Sequence, residues 1–206
     1  MPAHLPLPSK EQIALLPPFV GLPPERICVP QTADDFALAV SELLAEACVG
    51  FDSESKPLFT KGHVSDGPHV VQFATLNKAF IFQLHRSTCH SPLLDLLLAP
   101  GLIKVGFDLK SDCALLQQKL GVRPQAVLDL VRQFRRAGYG SSLGVKTAVA
   151  LVLQQRFQKS KKVSTSNWAL PRLQSNQLSY AANDAYAAIR VFAGLALARE
   201  DWLVTV

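Results

Sequence analysis

Apolar positions change period several times along the chain, and each change marks a new element. From Thr32 onward, Phe36, Val40, Leu43 and Leu44 recur at helical spacing. Thr32, with Asp35 three residues on, supplies a capping signal, so the spacing predicts a helix over 33–47. From Cys48 the runs shorten to Val49 and Phe51, then Val70, Val71 and Phe73, then Ala79, Phe80, Ile81 and Phe82, separated by Gly, Pro and Asn. Three consecutive strands fit that pattern. Residues 55–68, with Lys56, Lys61 and His63, read as an exposed polar loop, and 92–98 as a short helix. Helix and strand then alternate: a strand over 103–107, a helix over 109–120 ended by Gly121, a strand over 126–130, and helices over 130–137, 142–155 and 175–198. The expectation is an α/β fold, a mixed central sheet with its first strands antiparallel and its later ones parallel, flanked by helices.

Before Thr32 the pattern is different. Pro2, Pro6, Pro8, Pro17, Pro18, Pro23, Pro24 and Pro30 interrupt any helix there, so residues 1–30 read as an arm that wraps the domain or stays mobile, with one domain over 31–206. At 206 residues and 49% hydrophobic, the chain can bury one substantial core. A net charge of +5 leans toward a polyanionic partner. Cys28, Cys48, Cys89 and Cys113 show neither paired spacing nor a nearby histidine pattern, which suggests a reduced, intracellular chain, cytoplasmic and open to association with the nucleoid. His63, His69, His85 and His90 lack ligand spacing, and no signal peptide or membrane-spanning apolar run of about 20 residues is read.

Three segments carry candidate chemistry. In Gly50-Phe51-Asp52-Ser53-Glu54, strand alternation places Asp52 and Glu54 on one face while Phe51 and Ser53 face the other way. Two carboxylates side by side repel unless a cation or a shared proton lies between them, so a hard-metal site or a solvated strand end both fit. In the second, Lys104-Val105-Gly106-Phe107-Asp108 runs from a strand into a helix, and Asp112 falls in its first turn at the positive end of the dipole. Capping by Asp108 or Ser111, with Asp112 merely complementing the dipole, fits as well. In the third, Tyr180 and Asp184 lie one turn apart on a helix where Ala181, Ala182, Ala185, Ala187 and Ala188 permit close packing. An exposed Asp184 beside a half-buried Tyr180 is the bland alternative.

Taken in order, the three segments resemble the exonuclease motifs of the DEDD superfamily, tyrosine subclass, a DnaQ-like and ribonuclease H-like group, and most closely its Werner-type and RNase D-like domains. The resemblance covers residues 32–197 and includes Lys104-Val105-Gly106, Asp112 with Leu116, Ser142-Leu143, Ser166-Asn167-Trp168, and Tyr180-Ala181-Ala182 with Asp184-Ala185-Tyr186. It implies a ribonuclease H-like fold and 3′-5′ hydrolysis of phosphodiester bonds at a single-stranded 3′ end of DNA or RNA, DNA slightly favoured. It also implies two divalent cations, Mg²⁺ or Mn²⁺: one held by Asp52, Glu54 and Asp184, the second contacted by Asp52 near Asp112, with Tyr180 orienting the attacking water. Two ions about 3.5–4 Å apart suit an in-line displacement at phosphorus. Asp108 competes for the second motif, but the spacing to Leu116 favours Asp112.

Basic residues form three clusters: Arg132, Arg135 and Arg136; Arg156, Lys159, Lys161 and Lys162; and Lys56 with Lys61. Either solvation or contact with phosphates explains them, and Lys161 and Lys162 are the candidate substrate contacts. Trp168 reads as a core anchor or a stacking platform for a base. A catalytically silent module that binds nucleic acid or protein through the same cleft is the alternative function, against which the intact acid set argues.

Overall fold

The structure is a computed structural model, and it describes residues 5–57, 65–140 and 143–195. Among them is a six-stranded sheet formed by β1 (Ile27–Cys28), β2 (Cys48–Glu54), β3 (Val70–Ala74), β4 (Ala79–Gln83), β5 (Ile103–Gly106) and β6 (Val127–Asp129). Its spatial order is β1-β4-β3-β2-β5-β6. β2, β3 and β4 form an antiparallel meander, while β5 and β6 run parallel to β2. The mixed sheet is therefore the expected one.

Side-chain alternation divides the interior into two layers. Phe51, Phe73, Phe80 and Phe82 point to one side, where α2 (Ala33–Leu44), α3 (His90–Leu98) and α4 (Lys110–Leu120) cover them. Val70, Ala74, Ile81 and Val105 point to the other, under α5 (Leu130–Arg136), α6 (Val145–Leu153) and the long α8 (Ser175–Gly194). With both faces covered, β3 and β4 are buried at every position, which is why they read as nearly unbroken apolar runs.

Thr32 and Asp35 form the anticipated capping box of α2. α4 departs from expectation at its start: its N-cap is Leu109, with no side-chain cap, so neither Asp108 nor Ser111 performs that task. The carboxylate of Asp129, at the end of β6, instead accepts from the backbone N–H groups of Asp108, Leu109 and Val131 at 3.1, 3.3 and 2.9 Å. Asp108 itself is exposed and adopts a left-handed backbone, φ 55°.

Residues 5–30 contain three elements that the proline pattern concealed, one of them a single 3-10 turn over Pro24–Arg26. α1 (Lys10–Leu15) fits between Pro8 and Pro17, closed by a capping box of Ser9 and Gln12. β1 adds to the sheet edge parallel to β4. A further short helix, α7 (Lys161–Ser164), lies between α6 and α8. Lys61, His63 and Ser142 fall outside the described residues.

Candidate active site

The local fold around Asp52 follows from one close approach. Gly50, two residues before it, faces α8, and a Cβ there would run into the carbonyl oxygen of Ala185. Glycine on the strand and alanines on the helix thus let two backbones meet, which brings Asp184 down onto the end of β2. Ligand-capable oxygens of Asp52, Glu54 and Asp184 all lie within 4.8 Å of one another. The family resemblance implied this grouping, and the structure brings the three carboxylates together.

Asp112 is placed differently. Ser53 faces the opposite side of β2 from Asp52, and its hydroxyl donates to Asp112 Oδ1 at 2.5 Å. Asp112 therefore approaches from α4, held by Ser53, adjacent to the triangle and not part of it. It is still close enough to act on Asp52: burial pushes the Asp52 carboxyl well up, and the charges of Asp112 and Asp184 push it further. Asp108 is exposed and, among the four acids, its charge bears on Asp112, whereas Asp112 acts directly on Asp52.

The cluster is electrostatically strained without a cation. Burial, followed by the charges of Asp52 and Asp184, raises Glu54 to about 9. Burial raises Asp184 to about 6 against the pull of the Lys159 ammonium, and raises Asp112 against the hydrogen bond from Ser53. Oxygen-rich, crowded and reluctant to ionise, such a set suits a hard dication. Asp184 meets the Lys159 ammonium through Oδ2, and Tyr180 also hydrogen-bonds its carboxylate, so a metal there would share these oxygens with both. The residues present fit the group.

Lys159 is the site residue that sequence reasoning placed only in a basic cluster, open to solvation or to phosphate contact. Its ammonium lies 2.6 Å from Asp184 Oδ2 and 5.2 Å from the centre of the Tyr180 ring. Burial alone would lower its pKa, but the carboxylates of Asp184 and Asp52 more than reverse that. Tyr180 is pushed to about 12, by burial first and by Asp184 next, so the phenol keeps its proton. Trp168 packs beneath Tyr180, ring centres 5.9 Å apart, with its indole N–H donating to the Ser164 carbonyl. At 1% exposure it offers no face to a base, which corrects its place among the substrate contacts: it anchors the core and supports Tyr180.

The basic clusters separate in space. Arg156 donates to the Ala14 carbonyl, Lys159 turns inward, and Lys161 and Lys162 stay exposed on α7. Lys56, Arg135 and Arg136 are exposed as well. Lys104, singled out by pattern but given no role, is fully buried; its ammonium donates to the carbonyls of Leu96 and Ala99 at the end of α3, and burial lowers it to about 8. A cleft of about 350 Å³ opens beside Tyr180 and Asp184, bounded by Phe19, Gln158 and Asn183.

A family described as 3′-5′ exonuclease matches residues 27–198, across all four acids and the tyrosine. The chain belongs to the 3′-5′ exonuclease family. A 3′-5′ exonuclease of Arabidopsis thaliana is 28% identical over 148 residues, 71% of this chain and 51% of that protein, so the chain spans about half the length of that curated relative. Among solved structures, the Nibbler EXO domain of Aedes aegypti superposes with a TM-score of 0.72 at 22% identity, covering 85% of this chain and 89% of that one. Escherichia coli RNase D, an exoribonuclease involved in structured RNA processing, gives 0.71 at 21% identity over 81% of this chain and 43% of that one. These structures share the exonuclease family's ribonuclease H-like fold.

Proposed function

We propose that this exonuclease-family chain hydrolyses phosphodiester bonds from the 3′ end of a single nucleic-acid strand, with two divalent cations, Mg²⁺ or Mn²⁺. One would be held by Asp52, Glu54 and Asp184, the other by Asp52 together with Asp112. The observation that carries this reading is the convergence of three carboxylates, Asp184 buried and Asp52 and Glu54 half-buried, from two elements far apart in sequence, to within 4.8 Å. Cations bound there would supply activation of a water and charge neutralisation at the leaving 3′ oxygen.

The chain's own residues divide the remaining work. Tyr180 keeps its proton, so it orients the attacking water by a hydrogen bond and does not act as the base. With Lys159 counted, four ionised carboxylates and two dications leave one positive charge, which matches the single negative charge of a phosphodiester. Ser53 holds Asp112 from behind, and Trp168 holds Tyr180. Lys161 and Lys162 lie on the helix that begins beside the cleft, where a strand's phosphates can be gathered from solvent.

Hydrolysis at phosphorus is the same chemistry for both sugars. The sequence leans slightly to DNA, whereas the E. coli relative acts on RNA, so both strands belong in the test. With 5′-labelled single-stranded DNA, 3′-recessed DNA and matching RNA, Mg²⁺ or Mn²⁺ should yield a ladder shortening from the 3′ end that chelator abolishes. The sugar preference is read from the relative rates. Folded protein that leaves every substrate intact in either metal would overturn the reading.

A further inference from the structure

Gln72 is fully buried in the middle of β3, and neither its amide nitrogen nor its amide oxygen has a hydrogen-bond partner among the described residues. A primary amide carries two donors and an acceptor, and buried groups of this kind are nearly always satisfied. The ladder shows where its partner must come from. Gln72 is paired directly with Asp52 across β2 and β3. Directly opposed residues share a sheet face, with Cβ atoms about 4.5–5.5 Å apart.

That face is the one onto which α8 descends at Gly50 and Ala185. Along β3 it presents Val70 and Ala74 on either side of Gln72, both apolar and buried. From α8 it receives Ala181 and Ala185, equally apolar, and Asp184, whose Oδ2 is paired with the Lys159 ammonium at 2.6 Å. An amide without partners among the described residues and the buried Asp184 carboxylate thus flank Asp52, with Glu54 on the same face.

We infer that Gln72 is a positioning residue for the metal centre: with the divalent ion bound, its amide would hydrogen-bond the carboxylates that grip it, directly or through one water. The inference rests on the proposed function, because it needs a cation at Asp52 and Asp184. Outer partners of this kind orient ligands, and their loss typically costs about 10–100-fold in metal affinity.

The test is Mn²⁺ titration of the full chain by calorimetry, alongside thermal melting in chelator, for wild type and Gln72→Met. Methionine keeps the length of the side chain and removes its polarity. Gln72→Met should melt at or above the wild-type temperature without metal, since an unsatisfied buried amide has been removed. Its Mn²⁺ affinity should fall about 10–100-fold. Equal Mn²⁺ affinity in folded Gln72→Met would overturn the inference, as would a metal-free melting point well below wild type, which marks an ordinary structural role. Should that variant not fold, Gln72→Asn, which keeps the amide but withdraws it by one methylene, must also bind Mn²⁺ more weakly, and unchanged binding overturns the inference. Folded wild type that takes up no Mn²⁺ would instead sink the proposed function itself.

Discussion

Single residues in this site are governed by buried like charge. Glu54 titrates near 4.5 when unfolded and near 9 in the folded, metal-free chain, so between those values the folded state binds more protons. Stability must then fall as pH rises through that window. Asp184, at about 6, and Asp52 act in the same direction. Lys104, lowered to about 8, gives the opposite slope above pH 8, and His69 and His85, lowered by burial, oppose the three carboxylates within pH 5 to 8, the range in which the carboxylates should prevail. Urea midpoints in chelator should decline across it, and Glu54→Gln should flatten the decline; a flat wild-type profile would contradict this. Asp52→Ala should lower nuclease activity on the order of 10³-fold or more while the fold persists. Tyr180→Phe loses one hydrogen bond to water and should cost roughly 10–100-fold. Removing the ammonium in Lys159→Met takes a positive charge from the carboxylates, so Mn²⁺ should bind more tightly while the metal-free protein becomes less stable; calorimetry and melting in chelator check both. Strand and helix periods pair Asp52 with Glu54 and Tyr180 with Asp184, but it was the ordered resemblance to the exonuclease motifs that joined these pairs and Asp112 into one site. Lys159 could not be read from sequence, because nothing local distinguishes it from the solvent-facing Lys161 and Lys162 two and three residues on.

Among elements, the decisive contact is β2 against α8. Gly50→Ala would force the helix away from the strand at Ala185, with an overpacking cost of about 1–3 kcal/mol. Because Asp184 follows that helix, nuclease activity should fall more than stability does; equal, small losses would show that the approach is not what positions Asp184. Asp129→Ala releases the Asp108 and Leu109 N–H groups at the start of α4 and the Val131 N–H in the first turn of α5. It should destabilise the fold by about 1–3 kcal/mol, measured by chemical denaturation, and let Asp112 drift. The sheet was foreseen because β3 and β4 carry continuous apolar runs and α2 a capping box. β1 was not, since two residues among prolines show no period, and α1 and α7 are too short for a repeating stripe. The tether from Ser53 to Asp112 joins positions 59 apart, a separation that only the sheet's crossover connections can close.

For the molecule as a whole, the N-terminal segment and the active-site helix are tied together. Leu22 N–H donates to the Asn183 side chain beside Asp184, Phe19 N–H donates to the Arg156 carbonyl, and the Phe19 ring meets Phe157 edge-on with centres 5.0 Å apart. Deleting residues 1–30 should therefore lower the melting temperature by roughly 5–15 °C, and an unchanged melting temperature would show that the segment contributes nothing to the domain. Composition indicated prolines and an arm; the contacts that bind it depend on α8 and on the loop before α7, which no local pattern reveals. The account as a whole turns on whether Asp52, Glu54 and Asp184 bind a divalent cation. Anomalous diffraction from Mn²⁺-soaked crystals tests this most directly. The account predicts a peak at bonding distance from all three carboxylates, with Lys159 moved off Asp184. A fully soaked crystal with no peak there and the Lys159–Asp184 pair still in place would contradict it.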